Sequence, residues 1–113
     1  MVFTIKTGDT SPALTATLID TDGEPAALSL AENVEFYLNI PYEDSKISSD
    51  LTENVSILNA EEGRVQYDWQ EGDTDKPGQR EAEFVVEYEN GKKQSFPNDG
   101  FIYINIERDV ETL

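Results

Sequence analysis

The sequence predicts an all-β fold, and three observations carry that reading. Residues Arg80 to Glu89 alternate with a period of two: Ala82, Phe84, Val86 and Tyr88 on one side, and Glu81, Glu83, Glu87 and Glu89 on the other, broken only by Val85. Side chains alternate faces along a strand, so this pattern makes one dry face and one row of carboxylates. Turn signals recur about every ten residues, a spacing that suits short strands. No stretch carries a convincing helical pattern of apolar residues.

Val2 to Lys6 reads as the first strand, and Lys6-Thr7-Gly8-Asp9-Thr10-Ser11-Pro12 as a loop. Leu14, Ala16 and Leu18 then alternate with Thr15, Thr17 and Ile19 as a second strand, closed by the turn Asp20-Thr21-Asp22-Gly23-Glu24-Pro25. Leu28 and Leu30 suggest a short edge strand. Val34, Phe36, Leu38 and Ile40 define another strand, ended by Pro41. Tyr42 to Glu53 is polar and irregular, an exposed excursion with room for a short strand around Lys46 to Ser48.

Val55 and Ile57 open the next strand, and Glu61-Glu62-Gly63 turns it. Val65, Tyr67 and Trp69 share a face, opposed by Arg64, Gln66 and Asp68. A long connection, Gly72 to Gly78, leads into the glutamate-faced strand. Asn90-Gly91 signals a type I′ hairpin turn. Lys92 to Phe96 returns, Pro97-Asn98-Asp99-Gly100 turns, and Phe101 to Glu107 is the last strand. The sum is seven to eight short strands, an antiparallel sandwich of immunoglobulin-like type over residues 1–107, with a small barrel as the alternative. Residues 108–113 read as a frayed tail.

Composition narrows function. The 113 residues suffice for one domain. There is no Cys, hence no disulfide framework or thiolate metal site, and no His, the commonest general base and metal ligand. No run approaches the ~18 apolar residues of a membrane-spanning helix, and the start of the chain lacks signal-peptide character. With 24 Asp and Glu against 8 Lys and Arg, the net charge is −16. That charge argues against nucleic acid as a partner, since phosphate binding needs a basic face. Eleven aromatic residues (5 Phe, 5 Tyr and 1 Trp) and clean alternation argue for a packed core rather than disorder. The charge is read as adaptation to molar salt, the alternative being an acidic protein of ordinary salt. Glutamates at i and i+2 lie about 7 Å apart and repel by about 0.6 kcal/mol in water. A Debye length near 3 Å at about 1 M salt removes most of that cost.

The order and spacing of several segments resemble a known family. Ile5-Lys6-Thr7-Gly8-Asp9-Thr10-Ser11-Pro12-Ala13-Leu14 is similar to the start of the N-terminal domain of phage baseplate upper proteins. So are Val65-Gln66-Tyr67-Asp68-Trp69-Gln70 followed by Gly72-Asp73-Thr74-Asp75 and Gly78, then Ala82-Glu83-Phe84, then Phe96-Pro97-Asn98-Asp99-Gly100-Phe101. The resemblance covers nearly the whole chain. It implies an immunoglobulin-like module of a tailed-virus tail, the docking part of a larger protein that holds receptor-binding components on the tail core. The chain departs from that pattern by ending after the domain, so no arm is expected, and by lacking a short basic strand within Tyr42 to Glu53. A free-standing version suits the head surface or head–tail joint as well as the baseplate. The expectation is a structural, non-catalytic virion protein, located in the virion, whose partners are other virion proteins and copies of itself, with no cofactor, nucleic acid or membrane. A carbohydrate- or receptor-binding module is the alternative.

Candidate sites follow from exposure arguments. Phe101-Ile102-Tyr103-Ile104-Asn105-Ile106 is apolar on both faces; with the isoleucines inside, Phe101 and Tyr103 point outward as a contact patch, unless a loop covers them. Phe3, Tyr37 and Tyr42 are further interface candidates. Trp69 reads as a core residue, with a stacking platform as the alternative. Asp73-Thr74-Asp75, with Asp9 or Asp99, offers oxygens to a hard cation, but an Asx-turn accounts for the same residues and no metal is assigned. Asn54-Val55-Ser56 matches a glycosylation acceptor at a strand start.

Overall fold

The computed structural model describes residues 1–39 and 46–111, and among them the chain is a two-sheet β-sandwich of nine strands. These are β1 (Val2–Lys6), β2 (Leu14–Thr17), β3 (Ala31–Asn39), β4 (Lys46–Ser49), β5 (Val55–Asn59), β6 (Arg64–Tyr67), β7 (Gly78–Tyr88), β8 (Lys93–Phe96) and β9 (Ile102–Glu107). One sheet has the order β1-β9-β7-β3-β4, with β8 pairing the second half of β7; the other is β2-β6-β5. The alternation in Arg80 to Glu89 belongs to β7, which holds the large sheet together. It pairs with β3 along Val34↔Val86, Phe36↔Phe84 and Leu38↔Ala82, and these six side chains are buried.

The small sheet supplies the facing layer: Leu14 and Ala16 from β2, Val65 and Tyr67 from β6, Val55 from β5. The layers meet through aromatic rings. Phe36 of β3 stacks on Tyr67 of β6 with centroids 4.2 Å apart, and Phe84 lies 5.1 Å from Phe36. Trp69, beyond the end of β6, packs edge-on to Tyr67 at 5.4 Å and to Phe36 at 6.3 Å. It is therefore a core residue, not a platform. Its buried Nε1–H has no hydrogen-bond partner among the described residues, a cost accepted where a large ring fills the junction of the sheets.

Several elements differ from expectation for identifiable reasons. β1 pairs with β9 in parallel, in register Val2↔Tyr103 to Lys6↔Glu107; strands from the two ends of the chain have no hairpin to make them antiparallel. Leu28–Leu30 is one turn of 3-10 helix rather than an edge strand, with Leu28 buried and Leu30 exposed. At the β7–β8 connection the turn hydrogen bond runs from the Gly91 N–H to the Tyr88 C=O at 2.9 Å. The central residues are thus Glu89 and Asn90, and Gly91 follows with φ +84°, a three-residue loop in place of type I′. The short strand expected near Lys46 is β4. The segment after Glu107 is tied at its start: the Thr7 hydroxyl donates to Asp109 Oδ1 at 2.9 Å and accepts from the Asp109 N–H at 3.2 Å.

The loops at that end clasp one another. The two Gly-Asp-Thr triplets meet: the Gly8 N–H donates to the Thr74 carbonyl at 3.1 Å, and the buried Thr74 hydroxyl donates to the Asp9 carbonyl at 2.9 Å. Asp73 accepts from the Tyr67 hydroxyl at 2.6 Å and the Gln70 N–H at 2.8 Å. Burial, then the bond to the Asp73 carboxylate, pushes the Tyr67 phenol far up. At the rim, Arg80 sits on the inward side of β7, only 4% exposed, and donates to the Lys76 carbonyl at 2.7 Å.

Gly63 is buried where β6 begins, with φ +70°, and a Cβ there would lie 2.7 Å from the Leu18 carbonyl oxygen and 3.2 Å from the Ala26 nitrogen. Both atoms are backbone in the turn that closes β2, so neither can yield cheaply. Gly63→Ala should lower stability by about 1–3 kcal/mol in urea unfolding, from the left-handed backbone and this clash; unchanged stability would contradict the geometry.

Candidate interaction surface

The outer face of the large sheet brings together the exposed aromatic residues singled out in the sequence. Tyr103 on β9 lies beside Val2 on β1 and Glu81 on β7, and Glu83, two residues along β7, lies opposite Tyr37 on β3. Phe101 precedes β9 in the turn. Phe101 and Tyr103 are 40% and 41% exposed, and Val2 and Met1, 67% and 61%, extend the apolar strip to the β1 edge. Ile102, Ile104 and Ile106 are buried, as the alternation requires.

A shallow cleft of about 250 Å³ separates Phe101 from Tyr37, its other walls being Leu38, Asn39, Lys46, Glu81 and Glu83. Tyr37 is held by its neighbours. Its hydroxyl donates to Glu35, and the Lys46 ammonium sits 4.7 Å from its ring centroid. The hydrogen bond to Glu35, then partial burial and the charges of Glu35, Asp50 and Glu83, push the Tyr37 phenol up to about 12. The walls of this cleft therefore mix aromatic rings with carboxylates and the Lys46 ammonium.

Not every candidate belongs to this surface. Phe3 is turned inward and half-buried, its ring 5.8 Å from Trp69, because odd positions of β1 face the core. Tyr42 lies outside the described residues. Asp73 and Thr74 are engaged in the loop clasp, and no group of three or more Asp and Glu is arranged to hold a metal among the described residues. Asn54 is the turn residue just before β5, its N–H bound to the Ser49 hydroxyl at 3.1 Å.

Two features escaped sequence reading. A second cleft of about 240 Å³ is lined by Ala16, Leu18 and Ile19 together with Phe96, Pro97, Phe101, Ile102 and Met1. It joins residues distant in sequence, so only their apolar character was visible. The outer face is also partly neutralised: Lys93 is 4.0 Å from Glu87 of the glutamate row, and Lys6 is 3.4 Å from Glu107 on β9. Cross-strand register creates both pairs. Both are solvent-exposed to a degree that makes each a weak contributor.

No family model and no curated protein sequence matches the chain.

The raised Tyr37 phenol gives a pH test. A pKa lifted in the folded state leaves its stabilisation complete below the ordinary tyrosine value near 10 and removes it as pH rises toward 12. Alkaline titration followed by phenolate absorbance should resolve this late-titrating tyrosine, and Glu35→Gln should move its midpoint down. A midpoint insensitive to Glu35→Gln would remove the assigned cause.

Proposed function

We propose that this protein is a non-catalytic structural module of a tailed-virus particle, placed in the tail or baseplate or on the head surface or head–tail region. Its work is contact with other virion proteins and with copies of itself. The observation that carries the reading is the Met1–Val2–Tyr103–Phe101 strip, an apolar surface on a molecule of net charge −16. Such a strip on an otherwise heavily charged surface marks a place where another macromolecule sits. The resemblance of the motif order to that of baseplate upper domains is what supports the particle context. The residues of those motifs do structural work in this fold: Tyr67 with Asp73, Gly8 and Asp9 with Thr74, and Phe96 in the core.

The acidity fits a particle from a halophilic host. Glu81 and Glu83 on β7 are neighbours on one face, and Glu35 shares that face from β3. At molar salt their mutual repulsion is screened to a few ångströms, so the charge keeps water and ions at the surface with little loss of stability.

Purified particles from the source should contain this chain in many copies by quantitative mass spectrometry. The double variant Phe101→Glu with Tyr103→Glu should fold with near-normal melting, because both side chains are exposed, yet be depleted from particles several-fold. The isolated fold should also melt at lower temperature at about 0.1 M salt than in molar salt. A chain absent from particles, incorporation indifferent to the double variant, or a solitary monomer that retains a glycan on an array would each count against the proposal.

A further inference from the structure

We propose that β2 is a self-pairing edge, joining two copies of this chain antiparallel about Ala16 into one continuous sheet, β5-β6-β2-β2-β6-β5. This deepens the self-association in the reading above and rests only on that part of it.

An unprotected edge strand exposes a row of N–H and C=O groups, and proteins commonly guard such edges with lysines or bulges. The described edges of this sandwich follow that rule with one exception. β1 carries Lys6, β4 carries Lys46, and β8 carries Lys93. β5 carries a register irregularity between Ile57 and Asn59. β2 has none of these. It lies within Thr10–Ile19, ten residues without one ionisable side chain in a chain that is 28% charged. The three strands of its sheet also carry no carboxylate: the outer face bears Thr15 and Thr17 on β2, Arg64 and Gln66 on β6, and Ser56 and Leu58 on β5, with Asp68 just beyond β6 bonded to the Gln66 side-chain amide at 2.9 Å. Along Leu14 to Leu18 itself, two molecules of charge −16 set no acid directly against acid.

The edge also matches itself. Leu14-Thr15-Ala16-Thr17-Leu18 reads the same in both directions. Pairing antiparallel about Ala16 therefore sets Thr15 of one copy against Thr17 of the other, and Leu14 against Leu18, in both halves of a two-fold contact. The backbone polarity agrees. The Leu18 N–H donates inward to Gly63 at 2.8 Å, so by two-residue alternation Leu14, Ala16 and Leu18 face β6. Thr15 and Thr17 then direct their N–H and C=O groups to the open side. In the proposed register these form two reciprocal hydrogen-bonded pairs, with Thr side chains adjacent across the joint, a favourable cross-strand pairing. The ends of the free stretch coincide with the ends of the palindrome. Pro12 lies just before it, and just after it the Ile19 carbonyl already accepts from the Asn98 side-chain amide at 3.2 Å. Met1 borders the same edge beside Thr15, Ala16 and Thr17.

The native chain has no cysteine, which permits a register-specific test. Opposed residues of a hydrogen-bonded antiparallel pair lie about 5.5 Å apart at Cα, within the disulfide range of about 4.4–6.8 Å. Thr15→Cys and Thr17→Cys, each at an exposed side chain, are purified separately and oxidised in molar salt, alone and mixed. The mixture should give several-fold more cross-linked dimer than either variant alone, and the unmodified chain should sediment as a dimer. Equal cross-linking in all three samples, none in any, or a monomeric unmodified chain overturns the proposal. Because Tyr103 lies on β9 of the other sheet, Tyr103→Glu alone should leave this cross-linking intact; particle incorporation and β2 pairing can thus fail independently.

Discussion

The stack of Phe36 on Tyr67 is the contact on which the rest of the molecule depends. It joins the middle strand of the small sheet to β3 of the large one at a centroid distance of 4.2 Å, and Phe84, Trp69 and through it Phe3 gather around it. Tyr67 is held from outside as well, because its hydroxyl is bound by Asp73 in the loop that leads to β7. One residue thus ties the core to the loop clasp of Gly8, Asp9 and Thr74. Dry packing between the sheets fixes which face of every strand looks out, and so decides where carboxylates and aromatic rings appear on the surface.

The surface is divided by strand rather than randomly acidic. β7 and β3 present Glu35, Glu81, Glu83 and Glu87 on one sheet, while the strands of the opposite sheet present threonine, serine, leucine, glutamine and Arg64, with Asp68 only at the end of β6. The apolar strip at Phe101, Tyr103, Val2 and Met1 runs beside the acidic field. Repulsion among like charges is tolerable toward salt water and costly toward another acidic subunit. The division therefore separates a solvent face from contact faces, and it gives a physical reason for an edge strand to be left neutral.

Much of this was legible from the period of two. The inward and outward rows of β7 follow directly from Ala82, Phe84 and Val86 against Glu81 and Glu83, and the outward placement of Phe101 and Tyr103 follows from the isoleucines between them. What failed depended on partners far along the chain. Phe3 looked like an exposed aromatic until Trp69 took up its ring. Leu28 and Leu30 fit a strand by spacing, but only Leu28 has a core to enter. The Gly-Asp-Thr triplets at Gly8 and Gly72 bond to each other across 65 residues, a pairing that no local pattern announces. The Asn90-Gly91 pair marked the right hairpin and the wrong turn, since a left-handed glycine serves both geometries.

Amide hydrogen exchange on the purified chain in molar salt, compared between dilute and concentrated solution, tests the division of the surface most directly. The account has exchange slowing on concentration at Thr15 and Thr17, with the strand pairing of Glu81 to Glu87 unaffected. Slowing confined to segments on the glutamate face, with Thr15 and Thr17 exchanging freely, would contradict it.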